Sequence, residues 1–286
     1  MPTPFDRASG DVDRAAITKN VRRWMTTRLA GVLALGSNGE AALLDEDEGD
    51  AVVATTREAM PRDRLLLVGT GRESTRATIA ASKRAAAQGA DAVLVRTPSF
   101  FKGQMTPPVL IDHFTAVADA SPVPVLLYNL PGVTGVTLTW PIVSKLAEHP
   151  NVAGMKETSP ELERLGQFVT LRGGTFAVLC GWAPVVYPAL VSGAAGAILA
   201  VANVLPDECV ALFDAVTAGR HDQARAMQRR LTTIAQLVTT VYGVAGLKAA
   251  LDLAGYDGGA VRAPLRPVAA AAKDEIAAAF ETARAH

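Results

Sequence analysis

Apolar residues along this chain come in short unbroken runs rather than in strict alternation. Seven stand out: GVLALG (31–36), RLLLVG (64–69), DAVLVR (91–96), PVLLYN (124–129), NVAGMK (151–156), FAVLCG (176–181) and AGAILA (195–200). Between them lie stretches with helical apolar spacing, such as DEGDAVVATTREAM and TRATIAASKRAAAQGA. Continuous apolar strands alternating with helices predict a parallel sheet covered on both faces. Seven strand–helix units approach an eight-stranded barrel. The predicted fold is α/β: a (β/α)8 TIM barrel over 1–204, with appended C-terminal helices over 205–286 packed on it. An open doubly wound sheet is the competing architecture. It is weakened because no G-x-G-x-x-G follows the first strand. The missing strand should precede the TPFD turn, where only Met1 and Pro2 stand. After about residue 205 the strand runs stop. LPDECVALFDAVTAG, HDQARAMQRRLTTIAQLVTTVYG and AAKDEIAAAFETARA read as helices.

Composition narrows the function class. The 286 residues carry 28 basic and 28 acidic side chains. A nucleic-acid partner would call for a basic excess, so none is expected. No run reaches the length of a membrane span, and MPTPFDRASG has no apolar signal core. Two cysteines, Cys180 and Cys209, make no disulfide framework. A cytoplasmic protein is the expectation. Four histidines, His113, His149, His221 and His286, lack metal-ligand spacing. No metal site is expected.

Barrels of this kind carry chemistry at the C-terminal ends of their strands. The strand ends here read GSNGE, GTGRES, RTPSFF, YNLPG, KETS, CGWAP and AVANV. Of the seven lysines, only Lys156 falls in a predicted strand; the rest fall in helices or a loop. A desolvated lysine loses affinity for its proton, and the neutral amine can attack a ketone to form a Schiff base. Alternatively, Lys156 snorkels to the surface or pairs with a carboxylate such as Glu157. Tyr128 ends the neighbouring predicted strand, and its hydroxyl either shuttles protons or is simply satisfied in the core. The glycine-flanked turn GSNGE offers amides that can hold a carboxylate, or is an ordinary strand-to-helix turn. No glycine-rich phosphate loop follows the last two strands, which disfavours a phosphorylated substrate.

TPFD, GSNGE, TP-x-F-F, YNLPGVTG, GMKETS and AVANV follow one another over essentially the whole chain. In this order and spacing the sequence resembles the dihydrodipicolinate synthase / N-acetylneuraminate lyase family. GSNGE, RLLLVGTGREST and GLKAALDLAGYDGG-x-x-RAPL look closest to its 4-hydroxy-2-oxoglutarate aldolase branch. The resemblance implies a class I, pyruvate-releasing aldolase with no metal or organic cofactor, assembled as a homotetramer (a dimer of dimers). It implies that Lys156 is the Schiff-base lysine and Tyr128 the proton donor and acceptor. Ser37 and Asn38 match the pair that binds the pyruvate carboxylate, with Ser37 also in the proton relay. Ile198 matches a position whose main chain touches the pyruvyl group, and Thr158 and Gly181 fall on the substrate side.

Three positions depart from the family pattern. Members that make dihydrodipicolinate carry an arginine for the distal carboxylate of aspartate semialdehyde; here that position is Val133, which argues against lysine biosynthesis. The tyrosine that enters the relay from a neighbouring subunit is replaced by Phe100, followed by Phe101. Trp182 stands where other members have a small or acidic residue and should shorten the pocket. The expected substrate is a short 4-hydroxy-2-oxo acid, 4-hydroxy-2-oxoglutarate first, cleaved to pyruvate and glyoxylate. Its second carboxylate needs a cation, for which Arg96 and Arg72 are candidates. Arg96 instead faces outward onto a helix carboxylate if it is merely structural. Alternatives are a 2-keto-3-deoxy sugar acid aldolase or dehydratase, an aromatic hydratase-aldolase, and a non-catalytic barrel that binds an oxo acid.

Overall fold

The computed structural model describes residues 1–171 and 176–284. Seven strands form one parallel sheet in strictly sequential order. They are β1 (Gly31–Ala34), β2 (Leu65–Gly69), β3 (Ala92–Arg96), β4 (Val125–Asn129), β5 (Val152–Glu157), β6 (Ala177–Cys180) and β7 (Gly196–Ala197). Helices α1 (Arg14–Met25), α2 (Glu46–Ala59), α3 (Thr75–Ala87), α4 (Pro107–Ala120), α5 (Pro131–Thr134), α6 (Trp140–Leu146), α7 (Leu162–Val169) and α8 (Val186–Val191) alternate with them. Four more follow the last strand: α9 (Pro206–Thr217), α10 (His221–Gln236), α11 (Gly243–Leu253) and α12 (Ala270–Arg284). Sequential parallel order with intervening helices is the topology of a (β/α)8 barrel, and C-terminal helices are appended to it. The chain clusters into two compact units, residues 67–198 and residues 1–66 with 199–286.

In the unit 67–198, helices cover the central strands β3, β4 and β5, most of whose residues are buried. Every residue of β4 is buried, Asn129 included. Beyond a one-residue register shift between Val125 and Leu126, parallel pairing from β3 to β6 runs in register, so side chains fall into rows. Val95, Leu127, Met155 and Val178 make one row, and all are buried. The next row reads Arg96, Tyr128, Lys156 and Leu179, and the row after it holds Asn129, Glu157 and Cys180. Gly154 allows the close approach of β5 to β6, because a Cβ there would run into the Ala177 carbonyl. Helix α3 shows its start in sequence: Ser74 caps it by accepting from Ala77 N at 3.1 Å. It buries Thr78, Ala81, Ser82 and Ala85, one helical stripe.

In the unit 1–66 with 199–286, α2 opens with a capping box. Asp45 Oδ1 accepts from Glu48 N at 2.8 Å, and Glu48 Oε2 accepts from Asp45 N at 3.1 Å. Trp24 anchors the core of this unit. It is buried, donates to Asn203 O at 2.9 Å, and stacks on Tyr256 with centroids 5.3 Å apart. Residues 1–5 are buried ahead of α1 but carry no strand. The Met1 amine donates to Leu33 O at 2.5 Å, and Thr3 Oγ1 donates to Gly39 O at 2.7 Å.

Two elements differ from the sequence expectation, and the end of a third lies outside the described residues. The run 195–200 gives only a two-residue strand, because after Ile198 N donates to Cys180 O the chain bends into a 3-10 turn over Val201–Asn203. The helix expected over 221–243 breaks at 236. A π-helical turn spans Leu237–Val241, with Tyr242 N donating to Leu237 O at 3.0 Å, and Gly243 then restarts the chain at φ 55°. Ala285, the last residue of the expected C-terminal helix, lies outside the described residues. Leu127→Ala is expected to lower unfolding stability by about 2–5 kcal/mol in urea titration, because Leu127 is fully buried.

Candidate active site

The strand register decides where Lys156 points. Tyr128 on β4 is directly opposite Lys156 on β5, so both side chains leave the same face of the sheet. Both are buried, and Lys156 Nζ donates to Tyr128 Oη at 3.3 Å. Lys156 Nζ also lies 4.5 Å from the Tyr128 ring centroid. An amine and a phenol are thus held together in a dry place, 5–6 % exposed.

Glu157 is not the partner of Lys156. Neighbouring residues of a strand face opposite sides, and Glu157 turns to the other face. There Asn129 Nδ2 donates to Glu157 Oε2 at 2.6 Å, while Asn129 Oδ1 accepts from Leu138 N at 2.9 Å. Burial pushes the Glu157 carboxyl above its usual range. The Asn129 side chain thereby ties the two strand ends to the segment that follows β4. Cys180, in the same row, is also buried, and burial pushes its thiol up to about 11.

Gly181 and Thr158 stand beside the lysine. A Cβ on Gly181 would overlap Thr158 Oγ1 and come within 2.7 Å of Lys156 Cε. Only glycine leaves that space open. Thr158 Oγ1 is itself buried without a hydrogen-bond partner among the described residues. An unsatisfied hydroxyl next to an amine suits a polar ligand atom. Ile198 N donates to Cys180 O at 2.9 Å, which fixes the chain just after β7 beside the end of β6.

Arg96 shares the row of Tyr128 but is already paired. Its Nη2 lies 2.8 Å from Glu73 Oε1, and its Nη1 donates to Thr97 O at 2.9 Å. Glu73 also accepts from Ser99 N at 2.8 Å and Phe100 N at 2.9 Å. Partial burial pushes the Glu73 carboxyl up, but these two amides and Arg96 outweigh it and hold it at about 2. The clamp fixes a loop that presents Phe100 and Phe101, 78 % and 67 % exposed and edge to face at 5.0 Å. Val133, in α5, is exposed too, and Trp182 is partly exposed just before the 3-10 turn Ala183–Val185.

In the other unit, Ser37 and Asn38 sit together in the 3-10 turn Ser37–Gly39 that leaves β1. Leu35 and Glu40 flank this turn in the left-handed region, at φ 54° and 53°. For a leucine that backbone is an outlier. Lys248, read from sequence as an ordinary helix lysine, is instead buried, with its Nζ 2.5 Å from Glu40 Oε1. Its adjacent residues in GLKAAL are apolar, but Asp252 stands one turn on along the same face, the pattern of an exposed i,i+4 pair, so its burial has no clear local signal.

Comparison with known proteins follows the same lines. A family model described as "Dihydrodipicolinate synthetase family" matches residues 1–283. A protein of Emericella nidulans named "Probable 4-hydroxy-2-oxoglutarate aldolase, mitochondrial" is 37% identical over 98% of this chain and 92% of its own. A 4-hydroxy-tetrahydrodipicolinate synthase of Exiguobacterium is 34% identical over 98% of this chain and 95% of its own. Among solved structures, a prophage protein of the dihydrodipicolinic acid synthase family from E. coli K12, in complex with pyruvate, superposes with a TM-score of 0.92. It is 28% identical, over 99% of this chain and 97% of that one.

The Glu73 clamp makes stability depend on acid. Its carboxyl sits at about 2 in the folded chain against 4.5 unperturbed, so between those values the unfolded state binds more protons. The stabilisation is present above about pH 4.5 and lost as pH falls toward 2. Glu73→Gln is therefore expected to lower the melting temperature at pH 7, with the gap to the parent closing as pH drops through that window.

Proposed function

Because the chain belongs to the dihydrodipicolinate synthetase family, we propose that it is a class I aldolase that cleaves 4-hydroxy-2-oxoglutarate to pyruvate and glyoxylate. The observation that carries the reading is the buried Lys156–Tyr128 pair, 3.3 Å apart and set opposite each other by strand register. The unprotonated Lys156 amine attacks C2 of the oxo acid, and the resulting carbinolamine loses water to give a protonated imine. A base takes the proton of the C4 hydroxyl. The C3–C4 bond breaks, its electron pair passes into the imine as an enamine, and glyoxylate leaves. Protonation at C3 and addition of water then release pyruvate and restore the amine. Tyr128 is the group that carries protons to and from these positions. The lysine supplies the electron sink itself, so the steps call for no metal or organic cofactor.

The remaining roles follow from the resemblance and are part of the proposal. Ser37 and Asn38 take the pyruvyl carboxylate, and Ser37 continues the relay from Tyr128. Phe100 has no hydroxyl, so the relay ends at Ser37 or at water. Ile198 meets the pyruvyl group through its main chain, and Thr158 and Gly181 bound the space for the other half. Arg96, sharing its charge with Glu73, takes the second carboxylate. Val133 cannot pair the carboxylate of aspartate semialdehyde, which favours this substrate over the one used in lysine biosynthesis. A homotetramer in a reducing compartment such as the cytoplasm completes the proposal. Among the described residues, no helix is long and apolar enough to cross a membrane.

Borohydride reduction in the presence of pyruvate, read by peptide mass spectrometry, tests the chemistry. A reduced pyruvyl adduct is expected on Lys156, and Tyr128→Phe should slow turnover roughly 10²–10⁴-fold. Unmodified Lys156 in folded protein would leave an oxo-acid-binding barrel without catalysis. With 4-hydroxy-2-oxoglutarate, Arg96→Ala is expected to raise KM; an unchanged KM removes Arg96 from substrate binding.

A further inference from the structure

Just after the Ser37–Gly39 turn lies a set of buried charges that the aldolase steps do not use. Glu40 is only 1% exposed in its side chain, and Lys248 only 3%. Glu40 Oε1 lies 2.5 Å from Lys248 Nζ, and Glu40 Oε2 accepts from Arg262 N at 2.9 Å. Lys248 Nζ also donates to Ala260 O at 2.5 Å and lies 4.4 Å from the Phe5 ring centroid. Arg262 covers the same ring at 4.1 Å and spends its guanidinium on Glu48, Leu43 O and Gly10 O. Burial pulls the Lys248 ammonium below its ordinary range, against the pull of Glu40.

A buried ion pair is a poor way to gain stability, since a well-packed apolar pair often does as well. What this one fixes is geometry. Glu40 adopts the left-handed backbone at φ 53°, and Leu35 does so at 54° on the other side of the turn. Such backbones persist only where the surroundings hold them. Glu40 N donates to Ser37 O at 3.1 Å, so the residue that carries the buried carboxylate also closes the turn. Charge matters as well. An uncompensated carboxylate two residues from Asn38 would repel an incoming anion, and Lys248 neutralises it.

We propose that Glu40 and Lys248 are positioning residues that lock the Ser37–Asn38 turn in the form that binds the pyruvyl carboxylate. This rests on the reading of that turn given above. The test compares pyruvate with methyl pyruvate, which keeps the ketone and loses the charge, by half-saturation of borohydride trapping. The parent protein is expected to half-saturate at lower pyruvate than methyl pyruvate. In Glu40→Gln the pyruvate value should rise roughly tenfold, while the methyl pyruvate value and the trapping rate at saturation stay put. Lys248→Arg should retain the preference for pyruvate. The double variant Glu40→Gln/Lys248→Met removes both charges of this buried pair, so it should fold even where a single variant does not, and it should still lose the preference. A preference unchanged in the folded variants, or equal shifts for both ketones, would overturn the positioning role alone. A parent protein that traps neither ketone, or traps both alike, would overturn the carboxylate-binding turn and the positioning role together.

Discussion

Parallel register between β4 and β5 is the constraint on which the candidate chemistry depends. It sets Tyr128 opposite Lys156 and sends both side chains to one face. A shift by one residue would send each to the other face, where Asn129 and Glu157 now meet. That second pair is part of the same arrangement. Asn129 spends its amide on Glu157 and its carbonyl oxygen on Leu138 N, so the strand ends are pinned from behind while the lysine and tyrosine face forward.

The two buried lysines make opposite use of burial. Lys248 is surrounded by acceptors: the Glu40 carboxylate and the Ala260 carbonyl. Nothing there calls for a neutral amine. Lys156 has the Tyr128 hydroxyl as its hydrogen-bond partner and no carboxylate paired with it among the described residues. A lysine that must become a nucleophile needs surroundings of the second kind. Gly181 completes them by leaving the space beside Lys156 Cε and Thr158 Oγ1 unfilled.

Much of this was legible in the sequence because the signals were local. Each of the seven apolar runs forms a strand, and KETS after NVAGM marks the strand-end lysine. Other features depend on residues far apart in the chain. Nothing near Lys248 announces that Glu40, more than two hundred residues earlier, will bury against it. The Glu73 clamp was equally hidden, since GTGRES and RTPSFF meet only once β2 and β3 pair. From sequence, Arg96 is either a substrate cation or the partner of a helix carboxylate. Its neighbour turned out to be Glu73, just ahead of the α3 cap at Ser74. The short β7 and the π turn after α10 leave no sequence signal for a different reason. Apolar spacing continues through both, and only backbone bonding stops the regular element.

A crystal structure of the protein soaked with pyruvate tests the Schiff base on Lys156 most directly. Continuous electron density is expected from Lys156 Nζ to C2 of the pyruvyl group, with the Tyr128 hydroxyl within hydrogen-bonding distance of the new bond. Pyruvate bound with a clear gap to Lys156, or found away from the Tyr128–Lys156 row, would contradict it.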